Sequence, residues 1–256
     1  MAGTPESPGV TVTAPDAPAA RHLSAADFAP AVRPHVRSVD PDAYDRIFLV
    51  GDVHGCRREL ETLLATLDVT DDDLVVFVGD LVRKGPDSAG VVELVRSRPN
   101  VLSVRGNNED KLIHGRKDLD AVTDPFDAYL DAMPVVLLLG DAMVVHGGVD
   151  PRKPLSEHSL EDLLTFRSVP PEASYDGPFW FEQYEGPTRV FFGHTVLDAP
   201  FITDHAVGLD TGCVYGGSLT AYELTTGELT SVSAEKTYQQ RADRKVIEPS
   251  SPAAER

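Results

Sequence analysis

The sequence predicts an α/β fold with parallel strand pairing in its first half. Three observations carry that expectation. From about residue 45 to 115, short apolar runs alternate with segments of helical spacing in the order strand, loop, helix. Beyond about residue 135 the pattern turns to strands joined by hairpin signals. Hydrophobic residues make up 41% of the 256, enough for a full core, which excludes a globally disordered or collagen-like chain.

Taken in order, Arg46–Val50 is a short apolar run that reads as a buried strand, and Arg57–Leu67 follows with Leu60, Leu63, Leu64 and Leu67 at helical spacing. Leu74–Val78 is a second strand. Asp87–Arg98 is a helix with Asp87 or Ser88 near its N-cap. Val101–Val104 is a third strand, after which Gly106 opens a turn into another helix. In the second half, Val135–Leu139 and Ala142–Val145 flank the turn dipeptide Gly140-Asp141. Ser159–Ser168 reads as a helix. Arg189–Phe192, Phe201–Thr203, Ala206–Leu209, Ser218–Leu224 and Glu228–Val232 read as strands, the last two joined through Thr225-Thr226-Gly227. Residues 1–43 form an N-terminal segment, at least 1–20 of it disordered by composition, with a short helix over Ser24–Val32 broken by Pro34 and Pro41. The domain is expected over 44–234, with a polar tail over 235–256.

The net charge is −18, from 41 acidic and 23 basic residues, and almost all of it lies between the two ends. So negative a chain speaks against a nucleic-acid groove. Asp outnumbers Glu and Arg outnumbers Lys. That bias suits a surface that holds water in concentrated salt, and equally an ordinary acidic protein kept soluble by its charge. No run approaches the ~18 apolar residues of a membrane span, and no basic segment precedes an apolar stretch, so neither a membrane partner nor a signal peptide is expected. Two cysteines, Cys56 and Cys213, are too few for a disulfide framework or a cysteine-based zinc site. The expected setting is cytoplasmic.

Chemistry gathers at the strand exits. Gly51-Asp52-Val53-His54-Gly55, Gly79-Asp80, Gly106-Asn107-Asn108-Glu109, His146-Gly147-Gly148 and Gly193-His194-Thr195 each place Asp, Asn or His beside glycine just after an apolar run. Ligands of such sheets collect at carboxyl ends of strands. Any one of these motifs alone is an ordinary turn or a hydrogen-bonded core histidine. Five in order form a mixed oxygen and nitrogen donor set suited to divalent first-row metals, larger than one open zinc site needs and about right for two adjacent ions.

GDVHG (51–55), GDLVRKGP (79–86), RGNNE (105–109), VHGG (145–148) and FGHT (192–195) resemble the motifs of calcineurin-like metallophosphoesterases, in the phosphoprotein-phosphatase branch. The resemblance covers about 45–224. Leu209-Asp210-Thr211-Gly212-Cys213-Val214-Tyr215-Gly216-Gly217 is similar to a segment of symmetrical diadenosine tetraphosphatases and their bacterial and archaeal relatives. It implies a four-layer α/β/β/α sandwich of two mixed β-sheets flanked by helices. It also implies that Asp52, His54 and Asp80 hold one metal and Asp80, Asn107, His146 and His194 a second, with Asp80 bridging. A metal-bridging hydroxide would attack phosphorus in line. Manganese is the first choice of ion; iron, zinc, cobalt and nickel accept the same ligands.

Two departures from the family pattern coincide. Arg83 stands where the second motif has Asp, and Asn108 stands where the third has His. In the protein phosphatases that Asp orients that His, which protonates the leaving oxygen. A phosphate leaving group, with a second pKa of about 6, has less need of a proton. The double loss therefore favours a phosphoanhydride in a dinucleoside polyphosphate, nucleotide or inorganic polyphosphate. The rivals are a protein serine/threonine phosphatase, which would make a phosphoprotein the partner, and a metal-containing regulatory protein with little turnover. Arg83, Lys84 and Arg105 are expected as anion clamps, with Asp80, Asn107, Lys84 and Arg105 as the catalytic set. Asp210 and Tyr215 are expected near the site, Tyr215 against the substrate. Trp180, with Phe179, Phe181 and Tyr184, is either a nucleobase platform or a packed corner. Cys56 and Cys213 are small buried filler or a redox pair.

Overall fold

Alternation with a period of two divides β2 (Ile47–Val50) between two cores. Phe48 and Val50 join a cluster with Leu60, Leu63 and Leu64 of α1 (Arg57–Thr66) and Val91 and Val92 of α2 (Ser88–Arg96). Ile47 and Leu49 face Leu137, Val144, Phe191 and Val207 from a second sheet. β3 (Leu74–Phe77) repeats the division, with Val75 and Phe77 on the helical side and Leu74 and Val76 between the sheets. The computed structural model describes residues 22–117, 119, 126–170 and 175–249.

In the first sheet β2, β3 and β4 (Val101–Ser103) pair in parallel. β10 (Ser218–Glu223) closes on β2 antiparallel, and β11 (Leu229–Ser233) forms the edge. The second sheet runs β1 (Val36–Val39), β5 (Val136–Leu139), β6 (Ala142–Val144), β7 (Arg189–Phe192), β9 (Ala206–Gly208) and β8 (Phe201–Ile202). Its outer face buries Val136, Leu138, Met143, Val190 and Phe192 against Leu163 and Leu164 of α5 (Leu160–Thr165) and against Trp180. Two mixed sheets with helical cover on both outer faces make the expected sandwich. No helix among the described residues is long and apolar enough to cross a membrane.

The packed domain reaches beyond both expected boundaries. The helix expected over Ser24–Val32 is one 3-10 turn, Ala25–Asp27, after which Phe28 extends and enters the core with Val32. The following β1 pairs with β5 in the register Val36↔Val136. Its half-exposed sequence, Val-Arg-Ser-Val, carries no apolar run, and its partner lies 100 positions away, so local pattern does not reveal it. At the other end, Ile247 is buried and bridges to Leu197. The disorder expected of residues 1–20, and the last seven residues of the polar tail, lie outside the described residues.

Candidate metal centre

The loops after β2, β3, β4, β6 and β7 meet where the two sheets face each other. Val53 and His54 donate backbone N–H groups to the Asp80 carbonyl at 3.2 and 2.8 Å. Gly193 N–H donates to the His146 carbonyl at 3.0 Å. Left-handed backbone at non-glycine positions is uncommon. Among the described residues it occurs at His54, Asp80, Arg83, Lys84 and His194, and elsewhere at Asp68. Glycine permits the close approach: a Cβ on Gly193 would overlap Asp52 Oδ1, and one on Gly106 would overlap Asp80 Oδ1.

These loops bring the sequence-predicted donors together. His54 Nδ1–H donates to the Val82 carbonyl at 3.1 Å, and His146 Nδ1–H to the Val78 carbonyl at 2.8 Å. Both Nε2 lone pairs then face inward, the tautomer of a metal ligand. His54 Nε2 lies 3.5 Å from Asp80 Oδ2 and 3.8 Å from Asp52 Oδ2. His146 Nε2 lies 3.4 Å from Asp80 Oδ1 and 3.3 Å from Asn107 Oδ1. The His194 ring packs edge-on to His146 at 5.2 Å, and its backbone N–H donates to the Asp52 carboxylate at 3.3 Å. Lone pairs facing lone pairs repel unless a cation lies between them. Two donors bound at about 2.0–2.1 Å to one ion stand about 3–4 Å apart. The donor set therefore fits divalent ions, and ligand atoms of Asp52, His54 and Asp80 all lie within 4.8 Å of one another. Asp80 turns one oxygen toward His54 and the other toward His146, the arrangement of a bridging carboxylate.

Electrostatics support the same reading. Burial pushes the Asp52 carboxyl well up, and the nearby Asp210 and Asp80 carboxylates push it further. Burial also opposes the charge on Asp80, yet His146 and then Lys84 hold it well below the ordinary range, and Asp80 in turn raises His146 against its burial. Burial and then Lys84 lower His54 to about 3, and burial and then Arg167 hold His194 well down. Both rings are thus kept neutral and able to bind a metal. Buried carboxylates crowded in this way call for positive charge.

The expected anion clamps divide. Lys84 Nζ donates to His54 Nε2 at 2.6 Å and lies 5.3 Å from the centre of the Tyr215 ring, so both residues stand at the site. Arg83 Nη1 donates to Asn108 Oδ1, and Asn108 Nδ2 donates to Asp80 Oδ2. Arg105 corrects the sequence reading. Its guanidinium is 3% exposed and turns to Asp110 and Asp131, each at 3.7 Å, and to the Asp131 carbonyl at 2.5 Å. Those acceptors follow in α3 (Asn107–Ile113) and α4 (Asp127–Asp131), so Arg105 ties helices rather than the ligand cluster.

Sequence reasoning missed two residues here. Arg167, just past α5, donates through Nη2 to His194 Nε2 at 2.8 Å. No glycine-flanked motif marks it. Glu109 accepts backbone N–H bonds from Asp80, Gly106 and Val82 at 2.8–3.1 Å, holding the second and third loops together. Its place in RGNNE was the available signal. Burial, then the charge of Asp80, raises it to about 7. Trp180 resolves as the packed corner: it is fully buried, and its Nε1–H donates to the Gly147 carbonyl at 3.2 Å beneath the His146 loop. Cys56 and Cys213 are buried free thiols.

A mixed-sheet sandwich that gathers such donors at its strand exits is the architecture of a metal-dependent hydrolase of phosphate esters or anhydrides. Residues 45–220 match the calcineurin-like phosphoesterase family, and the chain belongs to it. It is 27% identical over 241 residues to bis(5'-nucleosyl)-tetraphosphatase PrpE (asymmetrical) of Oceanobacillus iheyensis, spanning 75% of this chain and 94% of that protein. To the protein of the same name from Bacillus subtilis it is 26% identical over 247 residues, spanning 80% and 100%. A crystal structure of a candidate diadenosine tetraphosphatase aligns at 32% identity with a TM-score of 0.69, covering 78% of this chain and 98% of that one. The two named relatives are asymmetrical enzymes, whereas the 209–217 segment resembles the symmetrical ones.

Proposed function

We propose that the protein hydrolyses a phosphoanhydride, with a dinucleoside polyphosphate as its substrate class. The contact between Arg83 and Asn108 carries this reading. The two positions that depart from the protein-phosphatase pattern touch each other, and Asn108 touches Asp80. Neither a guanidinium nor a carboxamide protonates a leaving oxygen at neutral pH. A guanidinium does supply permanent positive charge and bidentate donors, which suit a departing phosphate. The names of the relatives accord with that substrate.

Asp52, His54 and Asp80 would hold one divalent ion, and Asp80, Asn107, His146 and His194 a second, with manganese the first ion to try. Bound there, the ions would supply an activated water and neutralise charge on the phosphoryl oxygens. The chain's own residues do the positioning. Lys84 and Arg167 stand beside His54 and His194 as donors for phosphoryl oxygens. Asn108 orients Asp80 through two hydrogen bonds, from its backbone N–H at 2.8 Å and from its side chain. Glu109 keeps the Asp80 turn closed. Two free thiols accord with a cytoplasmic setting.

The test offers the manganese-loaded protein diadenosine tetraphosphate, inorganic polyphosphate, a nucleoside triphosphate and a phosphoserine peptide. Preference for an anhydride is expected. Products of one triphosphate and one monophosphate would mark asymmetrical cleavage, and two diphosphates symmetrical cleavage. Preference for the peptide would overturn the substrate assignment. Metal binding without turnover on any of them would favour a regulatory protein.

A further inference from the structure

After β11 the chain turns back and bonds to the loops that follow Asp210 and His194. Ala234 N–H donates to the Gly217 carbonyl at 2.8 Å, and Tyr238 and Gln239 N–H groups to the Val214 carbonyl at 3.1 and 3.0 Å. The Tyr238 hydroxyl donates to Glu59 Oε1 at 2.8 Å. Farther on, Ile247 N–H donates to the Val196 carbonyl at 2.8 Å, and Asp198 N–H to the Ile247 carbonyl at 3.0 Å. This strap therefore spans from the loop after Asp210 to the loop after His194. It lies outside the residues that match the family, which end at 220.

Arg241 sits midway along the strap. Its guanidinium lies 4.7 Å from the Tyr215 ring centre and 5.8 Å from that of Tyr175, and its Nε–H donates to the Lys245 carbonyl at 3.0 Å. Lys84 lies 5.3 Å from the same Tyr215 ring, and Arg167 4.3 Å from Tyr175. The result is an arc of alternating cations and rings: Lys84, Tyr215, Arg241, Tyr175, Arg167. One end donates to His54 Nε2 and the other to His194 Nε2.

The charge of this arc is met by the protein itself only from beyond contact distance, by Asp80 and Asp210 on Lys84 and by Asp210 on Arg167 and Arg241. Acidic residues outnumber basic ones by 41 to 23, yet among the described residues no carboxylate lies within salt-bridge distance of Lys84, Arg167 or Arg241. Arg167 is 6% exposed, and its Nε has no hydrogen-bond partner. Like charges gathered around the buried Arg167 are costly unless an anion neutralises them. Cation–aromatic contacts offset part of that cost and hold the guanidinium planes in place.

We infer that Arg241, seated between Tyr215 and Tyr175, forms a second anion subsite for the phosphates that flank the reacting phosphorus in a polyphosphate chain. This rests on the anhydride reading above and deepens it. The strap would make the site select chain length, since a lone phosphoryl group at the ligand cluster need not reach Arg241 whereas a run of phosphates must pass the arc.

The test uses the full-length, manganese-loaded protein and compares Arg241→Gln and Arg241→Lys with the parent. Calorimetry would measure binding of a methylene-bridged, non-hydrolysable nucleoside triphosphate and of orthophosphate. Loss of one charge-assisted contact should weaken triphosphate binding about tenfold more than orthophosphate binding in Arg241→Gln, and less in Arg241→Lys. In kinetics, kcat/KM on diadenosine tetraphosphate should fall about tenfold more than on p-nitrophenyl phosphate, through KM. Equal losses on the long and short ligands would make Arg241 a structural residue and overturn the inference, as would unchanged triphosphate binding. The binding arm needs no turnover. A parent that fails to cleave anhydrides but shows the length-dependent loss would sink the activity and leave the subsite standing.

Discussion

Restoring the phosphatase pair by Arg83→Asp with Asn108→His tests the reasoning about the leaving group. Alone, Asn108→His puts an imidazole against the Arg83 guanidinium, since the present side chains are in direct hydrogen-bond contact. Two unit positive charges about 4 Å apart repel by about 4 kcal/mol at an effective dielectric of 20. That opposes the imidazolium by roughly three pKa units; Asp80, which Asn108 also touches, works the other way, but beside Arg83 the new imidazole lacks the orienting carboxylate that makes it an acid. The single variant should therefore gain little on a phosphoserine peptide. Arg83→Asp removes the repulsion and supplies an orienting carboxylate, so the double variant should gain far more than the sum of the singles. General acid catalysis is worth roughly 10²–10⁴-fold, and an incompletely optimised pair should recover at least about tenfold on the peptide. Diadenosine tetraphosphate turnover should stay level or fall, because the cation beside the departing phosphate is gone. Single-turnover rates of the four proteins on both substrates decide it. A full gain from Asn108→His alone, or equal gains on both substrates, would refute the argument.

Other consequences are open to simpler measurements. Asp80→Asn should lower bound manganese at both positions, read by metal analysis of the dialysed protein, and reduce turnover more than about 100-fold. Arg105→Gln should lower stability by about 1–2 kcal/mol in denaturant melts, because it removes the buried guanidinium's hydrogen bond to the Asp131 carbonyl, while KM for the substrate stays unchanged. Burial pushes the Asp73 carboxyl up, but Arg46 and Thr70 hold it below its ordinary value. Its contribution to stability should thus be full above the ordinary pKa of about 3.9 and be lost as pH falls from there through the lowered folded value. The gap between melts of the parent and Asp73→Asn should close over that range. If the Asp-rich surface is built for concentrated salt, melting temperature and turnover should both rise from low to molar potassium chloride.

The strand exits were legible because the forces that make them are local. An apolar run with period two ends where the backbone must turn, and glycine beside Asp or His marks a turn that aims a side chain inward. The five loops carrying Asp52, His54, Asp80, Asn107, His146 and His194 could be read without knowing how the sheets pair. The packed corner at Trp180 was also within reach, since a Phe-Trp-Phe run is apolar enough to bury itself. β1 was not legible, because its residues are half-exposed and its hydrogen bonds come from β5. Arg105 was misread for a related reason. Its neighbours in sequence are site residues, but a long flexible side chain goes where its partners are, and Asp131 lies 26 positions away.

What the sequence by itself determined was the α/β alternation, the donor set at the strand exits and the paired departure at Arg83 and Asn108. All of these reside in turn chemistry and short-range periodicity. The tertiary structure alone decided which cations stand beside the ligand cluster. It withdrew Arg105 into a helix contact, brought Arg167 from the segment after α5 onto His194, joined Arg83 to Asn108 and laid the strap with Arg241 across two tyrosines. The physical reason is charge. A guanidinium goes to whatever anion or ring the folded chain places within reach, and those neighbours come from distant segments that only the packed sheets bring together.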